Sequence, residues 1–179
     1  MNDTTPKSDD QQELSSDEVR TPEAVEPERI FLVVVDDSEE MQIALRFACR
    51  RAEHTGGRVA LLYVIESTEF THWMSVGDLI QEEAREQAEK VLDDLLENVQ
   101  EMSGKMPVVY IREGDRRDEL LKLIDEEEQI SILVLAARAG SGGPGPLVSA
   151  LTGKFVGKIH VPITLVPDNL TIEEIDMIS

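Results

Sequence analysis

The sequence predicts an α/β fold, an open parallel sheet of five strands with helices wound over both faces. Three observations predict it. Five apolar runs rich in β-branched residues recur along the chain: "IFLVVV" (30–35), "VALLYVI" (59–65), "VVYI" (108–111), "ISILVLAA" (130–137) and "VPITLV" (161–166). Their apolar character is nearly unbroken instead of alternating, which is what strands covered on both faces require. Between successive runs lie stretches of helical period, so the order is β-α-β-α-β-α-β-α-β, and right-handed crossovers place helices on both faces.

Each intervening helix carries its own signals. After the first run, Met41, Ala44, Leu45, Ala48 and Ala52 recur at helical spacing, and Gly56 and Gly57 supply a stop. The segment 76–103 repeats the pattern through Val76, Ile80, Ala84, Ala88, Val91, Leu95, Val99 and Met102, and "SGKMP" ends it. Asp115 predicts the N-cap of a third helix through Leu120, Leu121 and Ile124. Pro146 suits the first turn of a fourth, which the spacing predicts to run through Leu151, Phe155 and Ile159.

The two ends differ from this middle. Residues 1–28 are acidic and proline-bearing with very few large apolar groups, a composition that cannot offset the entropy of ordering a chain and predicts a disordered leader. Residues 168–179, "DNLTIEEIDMIS", form a short acidic tail that predicts a marginal helix or a frayed end. Residues 29–167 are left as one domain with a core of ordinary size.

Charge and composition exclude several functions. The chain of 179 residues carries 37 acidic and 17 basic side chains, a formal charge of −20. Such a field repels nucleic-acid backbones and anionic lipid headgroups. No apolar run approaches the ~20 residues that span a bilayer, and the amino end has no secretory segment, so a cytosolic protein is expected. A single cysteine, Cys49, cannot form an internal disulfide, and its place among apolar helix positions predicts a buried, reduced thiol. His54, His72 and His160 share no metal-ligand spacing. No G-x-S-x-G elbow occurs, so nucleophilic catalysis finds no motif.

In an open α/β sheet the ligand site lies beyond the carboxyl ends of the strands, where the strand order reverses. Loops at that edge offer Asp36, Asp37 and Ser38, then Glu66 and Ser67, then Arg112, Glu113, Gly114 and Asp115, and finally Arg138 with the stretch "GSGGPGP" (140–146). Asp36 either lines a ligand site or joins the N-terminal turn of the first helix, and Asp37, three residues before Glu40, reads as a capping box. The segment "STEFTHWMSVGD" (67–78) holds Phe70, Trp73 and Met74 in a connection that suits either a lid or plain packing.

The glycine stretch resembles two phosphate-binding templates only in part. Gly140, Gly142 and Gly145 satisfy G-x-G-x-x-G, but on the fourth strand's loop and with no acid about twenty residues beyond at a strand end. The Walker spacing fails, because Val148 stands where its first glycine belongs and Phe155 where its hydroxyl belongs. Pro144 and Pro146 remove backbone donors, whereas the amides of Gly140, Ser141, Gly142 and Gly143, the Ser141 hydroxyl and the Arg138 cation stay available to an anion. The stretch is therefore either an anion site or a mobile connection.

The run "RIFLVVVDDSEEMQIALRFACRRAEHTGGRVALLYVIE", followed by "YIREGDRRDELLKLI" and closed by "GKIHVPITLVP", resembles the universal stress protein family over Arg29 to Pro167. The resemblance implies an adenine nucleotide alpha hydrolase-like sheet of order 3-2-1-4-5 and a homodimer formed through the last strand, residues 161–166. In one branch of that family it also implies ATP held by the Asp that ends the first strand, by backbone near the end of the second, and by a motif G-x-x-G-x9-G-[ST] after the fourth. Asp36 and Val64 match the first two elements. Ala136, Ala139, Ser149 and Ala150 stand at the four key places of the third. The expectation is a non-catalytic stress-response protein, needing no cofactor, that binds a protein partner or a small anion through Asp36, Val64, Arg138, Gly140, Ser141, Gly142 and Gly143. The alternative is a member that binds ATP or hydrolyses it slowly.

Overall fold

The computed structural model describes residues 28–66 and 74–179, with side chains for all of these except 74–80. The acidic leader up to residue 27 and the loop residues Ser67, Phe70, His72 and Trp73 lie outside the described residues, as does the Met74 side chain. Five parallel strands form one sheet in the order β3-β2-β1-β4-β5: β1 (Ile30–Val35), β2 (Arg58–Ile65), β3 (Val108–Glu113), β4 (Ile130–Ala137) and β5 (Ile163–Pro167). Helices α1 (Glu39–Thr55), α2 (Met74–Ser103), α3 (Arg116–Glu126), α4 (Pro146–Thr152) and α5 (Ile172–Ile178) complete it. Among the described residues no helix is long and apolar enough to cross a membrane.

Strand parity splits the core in two. Phe31, Val33 and Val35 of β1 pack with α1 and α2, through Ala44, Ala48, Leu92 and Val99 among others. Ile30, Leu32 and Val34 point the other way, onto Leu120, Leu123 and Ile124 of α3 and Val148 and Leu151 of α4. Side chains on a strand alternate between faces, so a central strand between two helical layers must be apolar at every position. All six residues of β1 are buried.

The helix ends show how local chemistry sets the turns. Ser38, not Asp37, caps α1: its Oγ accepts from the Met41 amide at 3.3 Å. The expected Asp37 cap fails because Asp36 Oδ1 accepts from both the backbone N–H and the hydroxyl of Ser38, which holds Ser38 one residue later at the cap. Gly56 ends α1 in the left-handed region at φ 67°, and its N–H returns to the carbonyls of Ala52 and Glu53. Asp115 caps α3 through the Asp118 amide at 3.0 Å, as its spacing predicts.

The fourth helix is shorter than its apolar spacing predicts. It ends at Thr152, because Gly153 (ψ −106°) leaves the helical region, and a single 3-10 turn, Val156–Lys158, follows. Phe155 lies half-buried with the Arg117 guanidinium 4.5 Å from its ring centroid. The tail is better ordered than its length suggests. Thr171 and Glu174 form a complete capping box, Ile175 is fully buried, and Asp176 receives Arg46 at 2.6 Å and Arg50 at 3.1 Å from α1.

A candidate ligand cleft at the sheet switch point

β1 and β4 are neighbours, yet their chains leave toward opposite faces, β1 to α1 and β4 to α4. Such a divergence opens a crevice at the carboxyl edge of the sheet. A cleft of about 140 Å³ lies there. Its inner wall is apolar, from Val33, Val134, Leu135 and Ala136, and its far wall is the segment Pro144–Val148. Four charged side chains line it: Asp36, Glu40, Arg116 and Arg138.

Parity explains which of the two aspartates enters. Asp36 continues the alternation of Ile30, Leu32 and Val34 toward the α3 and α4 face, whereas Asp37 continues that of the α1 and α2 face. On that second face Tyr63 is pushed above the usual phenol range, first by burial and then by the charge of Asp37.

The cleft's charges are paired among themselves. Asp36 Oδ2 stands 3.6 Å from Arg116 Nη1, and Arg116 Nη2 donates to Glu66 Oε2 at 3.1 Å. Arg138 Nε meets Glu40 Oε1 at 2.6 Å. The Glu40 carboxyl is held below the usual range, first by a hydrogen bond from its own backbone N–H and then by Arg138.

Asp36 and Arg138, expected at the site, both line the cleft. Gly140, Ser141, Gly142 and Gly143 do not; they form a turn, exposed except for the half-buried Gly143, closed by the Gly143 amide on the Gly140 carbonyl at 3.3 Å, with Gly143 at φ 80°. The lining passes instead to Pro144, Gly145 and Pro146. Val64 is buried in the core against the α3 and α4 layer, paired with Arg112 on β3. Ala136 lines the cleft, and the Ala139 amide donates to Asp168 Oδ1 at 2.9 Å. Ser149 and Ala150 lie on α4, where the Ser149 amide is spent on the Gly145 carbonyl.

Sequence reasoning missed Arg116 and Glu40. A signal for Arg116 was present in "GDRRDE": a cation in the first turn of a helix opposes the macrodipole, an unfavourable placement that a neighbouring carboxylate offsets. His54 and His160 remain apart, on Ser179 and Asp125 respectively. Among the described residues no group of three His, Cys, Asp or Glu side chains is placed to hold a metal ion.

The model of the universal stress protein family matches residues 28–167. Solved structures share the fold. UspA from Lactobacillus plantarum superposes with a TM-score of 0.64 at 18% identity, covering 78% of this chain and 97% of its own. A universal stress family protein from Burkholderia pseudomallei gives 0.57 at 20%, covering 77% and 95%. The universal stress protein from Archaeoglobus fulgidus in complex with dAMP gives 0.54 at 15%, covering 78% and 97%. No curated protein matches the sequence.

Proposed function

Because the chain belongs to the universal stress protein family, we propose that it acts in the cytosol as a non-catalytic homodimer that binds a small anion or a protein partner at the switch-point cleft. The observation that carries this reading is the Ala139 amide, which already donates to the Asp168 carboxylate. A cradle for a triphosphate needs bare, free backbone N–H groups, and here a methyl group stands at Ala136 and at Ala139 while one amide is spent. The cleft of about 140 Å³ is also below the ~300–1,000 Å³ of pockets that enclose larger ligands. On this reading the residues present do not fit adenosine triphosphate.

The homodimer reading is supported by β5, an edge strand with Leu165 41% exposed and, among the described residues, no strand paired on its outer side. Light scattering at micromolar concentration is expected to give twice the 20.0 kDa chain mass; a monomer mass removes this part of the proposal.

Nucleotide binding, ATP included, is the second reading. It is favoured by the structures of universal stress proteins solved with dAMP and with cAMP. Melting with millimolar ATP and magnesium separates the two. A ligand at ~100 times its dissociation constant adds about 2.7 kcal/mol, a rise of roughly 5–10 °C for a domain of this size. No rise is expected, and a rise on that scale would replace the first reading with the second.

A further inference from the structure

We infer that Arg116 is the residue through which the cleft recognises a phosphate group, and that Glu66 is its exchangeable internal counter-ion. This rests on the reading of the cleft as a small-anion site and names the ligand chemistry: inorganic phosphate or a small phosphate monoester.

Arg116 begins α3 and lines the cleft. A guanidinium carries five N–H donors. Arg116 Nη2 donates to Glu66 at 3.1 Å, and Nη1 stands 3.6 Å from Asp36 Oδ2, beyond hydrogen-bond reach. Its Nε is buried, and among the described residues it is the one buried side-chain polar atom without a partner. A buried donor left unpaired is costly, so the structure holds a guanidinium short of acceptors inside a cleft. A planar fork of that kind suits the oxygens of a phosphate.

The two carboxylates beside Arg116 differ in how they are held. Asp36 is fixed by the Ser38 N–H and hydroxyl. Glu66 has a side chain 56% exposed, and among the described residues its one hydrogen bond is that from Arg116. It lies outside the cleft lining and reaches Arg116 from the rim. With Glu66 turned to solvent, the charges lining the cleft balance, Asp36 and Glu40 against Arg116 and Arg138. Exchange of the Glu66 carboxylate for a ligand oxygen then keeps Arg116 paired throughout. Arg138, held by Glu40 across the same cleft, offers the second cation.

Calorimetric titration of the full chain with inorganic phosphate, adenosine monophosphate and adenosine tests this. Glu66→Gln should bind phosphate about tenfold more tightly than the unaltered chain, the scale of one charge-assisted hydrogen bond. Arg116→Lys keeps the charge but not the fork and should lose about tenfold, with its melting temperature recorded alongside; if it melts early, Glu66→Gln carries the test alone. Equal affinity in all three proteins overturns the role of Arg116 and Glu66 while the small-anion reading stands. Absence of binding by phosphate and the monophosphate to both the unaltered chain and Glu66→Gln overturns both. Adenosine binding as tightly as its monophosphate shows recognition of the base and overturns the inference.

Discussion

The backbone amide of Ala139 and the carboxylate of Asp168 are joined by a 2.9 Å hydrogen bond, which ties the start of the glycine loop to the first residue after the last strand. The Asp168 amide closes the link by donating to the Ala137 carbonyl at 3.0 Å. Removing the side chain, as in Asp168→Ala, leaves that second bond and frees the first. Amide exchange at Ala139 is expected to speed up while exchange within β4 stays slow. The stability loss should be about 0.5–1 kcal/mol, the low end for a hydrogen bond because the contact is exposed. An unchanged exchange rate at Ala139 would show that the loop is held by other means.

Acid should loosen the tail. The Asp176 carboxyl is held below the usual carboxylate range, first by the hydrogen bond from Arg46 and then by that from Arg50. A folded-state value lower than the unfolded one contributes stability that is complete above the unfolded value, near ~3.9, and disappears as pH falls through the folded value. The melting-temperature gap between the unaltered chain and Asp176→Asn should therefore be constant from neutral pH down to roughly pH 5 and close only in stronger acid. Added salt should narrow it, since both arginines are partly exposed. A gap that closes between pH 7 and 5 would assign the effect to a histidine instead.

Two adjacent glycines should respond differently to alanine. At Gly57 a Cβ would meet the Arg29 carbonyl oxygen at 2.6 Å and the Phe31 ring at 2.9 Å, and that carbonyl already accepts the Arg58 amide at 2.8 Å. The backbone there cannot retreat without breaking the β1–β2 ladder, so Gly57→Ala should cost about 2–3 kcal/mol. Gly56 has open space around it and only its φ of 67° opposes a side chain, so Gly56→Ala should cost about 1 kcal/mol. Urea midpoints would reverse the ranking if backbone conformation mattered more than crowding.

Cys49 should be chemically silent until the chain unfolds. It is fully buried in the α1 and α2 layer, and burial pushes its thiol up to about 12. The thiolate is the reactive form, so alkylation at pH 8 should follow global unfolding in rate and urea dependence. Rapid labelling of the native protein would mean that α1 opens on its own.

Much of this fold was legible in the residues themselves. Five unbroken apolar runs separated by helical periods lead to a sheet covered on both faces, and the strand parity that sends Asp36 and Asp37 to opposite layers follows from the same runs. The cap at Asp115, the stop at Gly56 and the proline opening α4 rest on single residues and their neighbours. The break at Gly153 was harder to foresee, because Phe155 and Ile159 keep the helical spacing although the backbone leaves the helix before them.

What the sequence by itself determined was the layered sheet, the burial of Cys49 and the edge of the sheet at which a cleft opens, because periodicity and turn chemistry act between residues close along the chain. Only the tertiary structure decided that Arg116 reaches Asp36 and Glu66, that Asp168 occupies the Ala139 amide, and that Asp176 is gripped by Arg46 from 130 residues away. Those pairings join charged side chains on different elements, and a charge finds its partner through strand register and helix packing, which no local pattern of residues encodes.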